Sequence, residues 1–251
     1  RCLLCVLVLV PALAAVTAWP LAAAGGNPNP GVIPLNAKVG GLTYSDWGDR
    51  SWQWCISIPA AECPVLDGAG PGQFTGPVFL LSNVWVVPGV SNIAECWVTV
   101  GRDQALFLPL ATTAWGPAEV CMGESGTCAI QLPGEDLVEV LRSGAHESMD
   151  SVTGLYAIVD GMPLQDLCQY RVQSSQPFEC AYPEGGWLSG LEGPGGTIGD
   201  EAGLVPVAVA DGYYLLLSPL RKGEHTVSYG ASWPQFGEGT VAGVVYHITV
   251  K

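Results

Sequence analysis

Residues 240–250 read TVAGVVYHITV, and their side chains fall into two alternating sets, Val244, Tyr246, Ile248 and Val250 on one side and Val245, His247 and Thr249 on the other. A period of two is the mark of a half-buried strand, with the apolar set turned to a core and the mixed set more exposed. Comparable runs rich in β-branched and aromatic residues recur at 77–87, 96–100, 105–110, 154–159, 170–173, 178–182, 205–210, 213–217 and 225–231. Turn signals separate them. Asp160-Gly161 and Asp211-Gly212 are turn pairs, Arg221-Lys222-Gly223 suits a hairpin tip, and 185–203 reads as a long surface loop. No segment repeats with the period of a solenoid or propeller. The expected fold is mainly β, a two-sheet sandwich of jelly-roll or immunoglobulin-like type formed by one domain over residues 42–251.

Two segments keep a helical period instead. Residues 44–58, YSDWGDRSWQWCISI, follow Thr43, which with Ser45 is a candidate N-cap, and Asp46 and Asp49 suit the positive helix start. Trp47, Trp54 and Ile58 fall on one stripe, with Arg50 and Trp52 at its margins, and Pro59 ends the segment. Residues 135–149 place Leu137, Val138, Leu141 and Ala145 at core-facing spacing. Both read as short helices packed over a sheet.

The composition agrees. The 251 residues include 33 Gly and 20 Pro, too many for long helices, and 49% hydrophobic residues exclude a disordered chain. Nine Lys and Arg against 23 Asp and Glu give a net charge of −14, which removes the basic footprint a nucleic-acid partner requires.

Residues 1–24 are apolar beyond Arg1, dense in Leu, Val and Ala, and end in small residues at Ala22-Ala23-Ala24. This reads as a secretory signal peptide cleaved before Gly25, with Ala12-Leu13-Ala14 as a second cleavage candidate; a retained membrane anchor is the competing reading. The next stretch, GGNPNPGVIPLNAKVGG at 25–41, is an extended Pro- and Gly-rich arm, either a strap over its own domain or a segment donated to a neighbour's sheet edge. Cys2 and Cys5 leave with the signal. Cys55, Cys63, Cys96, Cys121, Cys128, Cys168 and Cys180 remain, and their odd number leaves at least one thiol free or paired with another chain. Spacing suggests short loops closed by Cys121 with Cys128 and by Cys168 with Cys180. Disulfides of this kind belong to a secreted, extracellular or cell-surface protein.

The stretch Tyr44-Ser-Asp-Trp47-Gly-Asp-Arg50-Ser-Trp52-Gln53-Trp54, closing with Ser57-Ile58-Pro59, resembles the Y-x-x-W-x-x-R-W-W-Q-W-x-x-S-I-P signature of a family of uncharacterised secreted bacterial proteins. The likeness continues in order through Gly72-Gln73, 76–80, 105–109, Asp160-Gly161 with Pro163, 170–172, 211–213, Pro219-Leu220 and His225. Ser51 stands where the family has tryptophan, Gln104 where it has the lysine of Pro-x-Gly-Lys, and Cys55 is an addition. The resemblance implies secretion, a β-rich globule and a bridge between Cys63 and Cys96, which leaves Cys55 as the odd thiol. It implies no reaction.

No reaction centre assembles from the residues. Gly-x-Ser-x-Gly, the phosphate loop G-x-x-x-x-G-K-[ST] and the D-x-[DN]-x-[DN]-G calcium loop are absent, and His146, His225 and His247 are scattered without zinc-ligand spacing. No cofactor is expected; the acids Glu192, Asp200 and Glu201 read as solvated loop charge, with calcium held by them as the alternative. Trp187 and Trp233, with Tyr182 and Phe236 nearby, stand in Gly- or Pro-rich sequence and form a candidate aromatic platform for a glycan. The leading expectation is a secreted structural or interaction protein, self-associating through sheet edges or its arm or binding another extracellular protein. The alternative is a carbohydrate-binding module or glycoside hydrolase working with loop aromatics and carboxylates.

Overall fold

The computed structural model describes residues 28–59, 76–84, 86–116, 134–183, 191–193, 196–198 and 203–251. Helix α1, Tyr44–Ile56, begins at a capping box: the Thr43 side chain accepts from the Asp46 N–H, and the Asp46 carboxylate accepts from the Thr43 N–H at 2.8 Å. The Thr43 hydroxyl also donates to this carboxylate at 2.7 Å, and that bond, with the one from the Thr43 N–H, holds the Asp46 carboxyl below its ordinary range. A second helix, α2, spans Gly134–Asp150. The strands are β1 Val78–Leu80, β2 Ser91–Val100, β3 Ala105–Trp115, β4 Thr153–Val159, β5 Met162–Pro163, β6 Arg171–Gln173, β7 Phe178–Tyr182, β8 Leu191–Gly193, β9 Gly196–Ile198, β10 Gly203–Leu217, β11 Gly223–Ser232 and β12 Val241–Val250.

They form two packed sheets and a small hairpin, β8–β9. The first sheet runs β1-β3-β10-β6, with β7 also paired to β10, and the second runs β2-β12-β11-β4-β5. Both are mixed, because β1 pairs parallel to β3 and β2 parallel to β12.

The β3–β10 register fixes which way each side chain points. Leu106, Leu108, Ala111, Thr113 and Trp115 share one face with Leu217, Leu215, Tyr213, Asp211 and Val209, and a bulge between Tyr213 and Tyr214 keeps the alternation in phase. Phe107, Pro109 and Thr112 share the opposite face with Leu216, Tyr214 and Gly212. Helix α1 covers this second face: Gly48 lies over the Tyr214 ring and the Trp52 indole N–H donates to Thr112 Oγ1 at 2.9 Å. The first face meets two layers. Along one part it packs on the second sheet, whose Val227, Tyr229, Val244, Tyr246, Ile248 and Val250 are buried. The Tyr229 hydroxyl crosses the gap to the Ser82 carbonyl at 2.7 Å. Farther on it meets α2, where a Cβ added to Gly144 would fall 2.4 Å from the Trp115 ring. Only glycine permits that approach of helix to sheet.

The described part of the arm is a strap on its own domain. Ile33 N–H donates to the Leu216 carbonyl at 2.8 Å, Ser218 N–H to the Gly31 carbonyl at 2.8 Å, and Val32 is buried. The Asn29 amide acts as a surrogate backbone unit, accepting from Gln165 N–H at 2.6 Å and donating to Gln165 carbonyl at 2.7 Å.

Several local expectations change. Asp211-Gly212 is not a turn but the middle of β10, which joins the two runs expected at 205–210 and 213–217. A Cβ on Gly212 would meet Thr112 Oγ1 and the Tyr214 ring at 2.7 Å, so glycine serves close packing there. Arg221 and Lys222 lie in a crossover between sheets rather than at a hairpin tip, since β10 and β11 belong to different sheets. The expected loop at 185–203 contains the β8–β9 pairing, and of the expected strand at 77–87 only Val78–Leu80 is in a ladder. The turn at Asp160-Gly161 stands, with positive φ at both residues, as a type I′ hairpin requires.

Candidate functional site

Strand β2 is the long edge of the second sheet. Its partner β12 receives only half of its peptide groups: Val241 N–H donates to the Val90 carbonyl and Lys251 N–H to the Val100 carbonyl, both at 3.1 Å. In a parallel ladder this parity assigns the even-numbered residues to β12. The N–H and C=O groups of Ser91, Ile93, Glu95, Trp97 and Thr99 therefore point away from the sheet, and no strand pairs with them among the described residues. Other edges among the described residues are shorter: β1 and β6 have three residues each, β7 has five, and β5 has two, one of them Pro163, pairing only Ile158 and Val159 of β4. Short strands and proline blunt an edge against pairing. Strand β2 has ten residues, no proline or lysine, and one charge, Glu95.

Apolar surface gathers at this edge. Val87, Val90, Ile93 and Trp97 are four of the seven exposed large hydrophobic residues among those described, and Ile93 and Trp97 are 55% and 66% exposed. The odd-numbered side chains of β2 stand on the outer face of the sheet, away from the core. There the Trp97 indole stacks on the His247 imidazole, with centroids 4.9 Å apart and planes 15° from parallel. His247 Nε2 meets Glu95 Oε1 at 2.6 Å. On the inner face Cys96 is buried, and burial pushes its thiol up to about 11.

A second polar cluster joins α2 to β6 and β10. Asp211 is taken by Arg171 through Nε at 3.0 Å and Nη2 at 3.1 Å, with His146 Nδ1 at 3.4 Å and Gln173 Nε2 at 3.3 Å. Arg171 also binds Asp150 and the His146 carbonyl, while Arg142 donates to Gln173, Ser174 and Ser175. Burial works against the Arg171 charge, but hydrogen bonds to Asp211 and Asp150 outweigh it and raise the guanidinium's pKa; its hydrogen bond holds Asp150 below the carboxylate range. The donors of this cluster are spent on tying helix to sheet. The aspartate and histidine look like two members of a catalytic triad, but no serine or cysteine hydrogen-bonds to His146 among the described residues.

The expected aromatic platform does not form at Trp233. That residue is 5% exposed, packed against Phe236, and its buried indole N–H has no hydrogen-bond partner among the described residues. Phe236 remains 46% exposed. Trp187, the Tyr182 and Glu192 side chains, Asp200 and Glu201 lie outside what is described, as do the leader at 1–24 and Cys63, Cys121 and Cys128. No disulfide links two described residues. The bridge expected between Cys168 and Cys180 is excluded by the register. Cys180 pairs with Val205, whereas Cys168 precedes Arg171, which pairs with Tyr213, eight residues along β10. At ~3.3 Å per residue that is roughly 25 Å, against the ~7 Å limit for bridged Cα atoms. Cys55 is buried in α1. Among the described residues no group of His, Cys, Asp and Glu is arranged to hold a metal ion, and no helix is long and apolar enough to cross a membrane.

Trp97 went unnoticed in the sequence because it sits inside an ordinary strand pattern. Its signal was the odd-numbered set Ile93, Glu95, Trp97, Thr99, which mixes apolar and polar residues as an exposed face does. No family model matches the chain, and neither a curated protein nor a solved structure does.

Proposed function

We propose that the protein is a secreted, disulfide-supported extracellular interaction protein that self-associates by adding a strand of a second copy to the open edge of β2. The observation that carries this reading is the outward ladder of Ser91, Ile93, Glu95, Trp97 and Thr99 on the one long edge among those described. An unpaired edge of this length is a template for main-chain hydrogen bonding to another chain. A second copy fits because the strand matches itself under a two-fold axis. Antiparallel pairing about Glu95 sets Ile93 of each copy opposite Trp97 of the other, joining apolar to apolar, and Ser91 opposite Thr99, joining hydroxyl to hydroxyl. The two Glu95 carboxylates then face each other, each already bonded to His247. Two chains of net charge −14 also repel, so association strengthens with salt as the repulsion is screened.

Export supports this reading from the sequence side, through the apolar leader and the thiols suited to an oxidising compartment. The described arm, held on its own domain, supplies no donated strand, which leaves the edge as the contact. Sedimentation velocity over a concentration series at low and high salt tests the reading. A chain that stays monomeric to near-millimolar concentration in both overturns it.

A further inference from the structure

Trp97 stands directly across from His247 in the β2–β12 pair and stacks on it, so the free face of the indole looks out over the β2 edge, where a second copy would set its Ile93, and a ligand stacked there and a second copy exclude one another. We infer that this face binds a neutral polysaccharide, with a pyranose ring stacked on Trp97. One side of the indole is closed by His247, and His247 is held by Glu95, yet Trp97 keeps most of its surface in water. A ring fixed from behind loses little freedom when a ligand arrives in front. The surroundings are polar. Glu95 and Thr99 flank Trp97 on the same face, about 7 Å away along the strand. Beyond His247, Thr249 donates to Glu224 at 2.9 Å.

This border selects the ligand. A wholly apolar partner would strip water from Glu95 and Glu224 and return no hydrogen bond, which costs more than the indole contact gains. A polyanion is repelled by the same carboxylates and by the net charge of −14. A pyranose offers an apolar C–H face to the indole and a rim of hydroxyls that donate to carboxylates. Tyr156 adds a second aromatic surface on the same face, its hydroxyl 2.1 Å from where a Cβ on Gly243 would stand, so its ring lies across β11 and β12 at glycine positions. Two separated aromatic surfaces on one face suit a chain of sugars better than a single unit.

The test titrates the full mature chain with cellohexaose, xylohexaose, mannohexaose and chitohexaose, following tryptophan fluorescence, together with co-sedimentation on the parent polysaccharides. Saturable binding to at least one is expected, weakened up to about tenfold in Trp97→Ala and less in Trp97→Phe. Ile93→Pro, which blocks the edge and so removes the competing copy, binds at least as tightly as the parent, so failure of self-association and failure of the sugar site are read separately. Circular dichroism of each variant reports the fold. No binding to any of the four, equal binding by Trp97→Ala, or Trp97-dependent capture of a trimethyl-lysine peptide in place of sugar overturns the inference.

Discussion

Arg171 and Asp211, diagonal neighbours on β6 and β10, form a two-pronged ion pair inside the domain, with Asp211 1% exposed. The pair is what permits an aspartate in the middle of a buried strand. Replacing Arg171 by Met strands the carboxylate without its main partner, and urea denaturation at pH 7 is expected to show a loss of about 3–5 kcal/mol. Arg171→Met with Asp211→Asn loses less than Arg171→Met alone, because the uncompensated charge is gone.

Asp49 makes stability depend on pH. Burial between α1 and the β6–β7 segment raises its carboxyl to about 6, opposed by a hydrogen bond from the Ser174 hydroxyl. The unfolded chain gives up this proton near 3.8, so folding binds a proton between the two values. The contribution is whole below about pH 4 and is lost as pH rises through about 6. Asp49→Asn is therefore expected to be more stable than the parent at pH 8, by on the order of 2–3 kcal/mol, with the gap closing below pH 4. Denaturant midpoints at four pH values check it.

His225 acts in the same direction at higher pH. Burial disfavours its charged form, but Asp160 at 2.7 Å and the Arg221 carbonyl at 2.8 Å outweigh that and raise its pKa above 6.5. Its contribution is whole below pH 6.5 and disappears as pH climbs through the folded value. His225→Gln is expected to cost about 0.5–1 kcal/mol at pH 5.5 and little at pH 9, where thermal melts of the two proteins converge.

Gly144→Ala inverts the usual rule. In an exposed helix the exchange gains about 1 kcal/mol. Here the new methyl meets the Trp115 ring at 2.4 Å, and a loss of about 1–3 kcal/mol is expected by urea titration. Trp115→Leu in the same background recovers part of it.

Period and capping carried much of the fold. The alternation at 240–250 matches β12, whose even-numbered residues are buried, and Thr43 with Asp46 announces α1. What sequence reasoning missed is tertiary. Asp211-Gly212 has the composition of a turn, but Arg171 supplies the aspartate with a buried partner and the Tyr214 ring leaves room only for glycine, so the strand runs through. Trp233 stands among loop residues, and its context hides that it turns inward. The β2 edge could not be read from the chain, because its one partner among the described residues is joined parallel across more than a hundred residues, and which side of a strand stays unpaired is a property of the whole sheet.

Sedimentation equilibrium of residues 25–251 beside the same chain with Ile93→Pro decides the central claim. Proline at an odd position removes an outward N–H that β12 does not use, so the sheet survives while the edge is blocked. The parent is expected to self-associate, more strongly at high salt, and Ile93→Pro to remain monomeric with an unchanged melting temperature. A parent that is monomeric throughout, or an Ile93→Pro variant that assembles as the parent does, contradicts it.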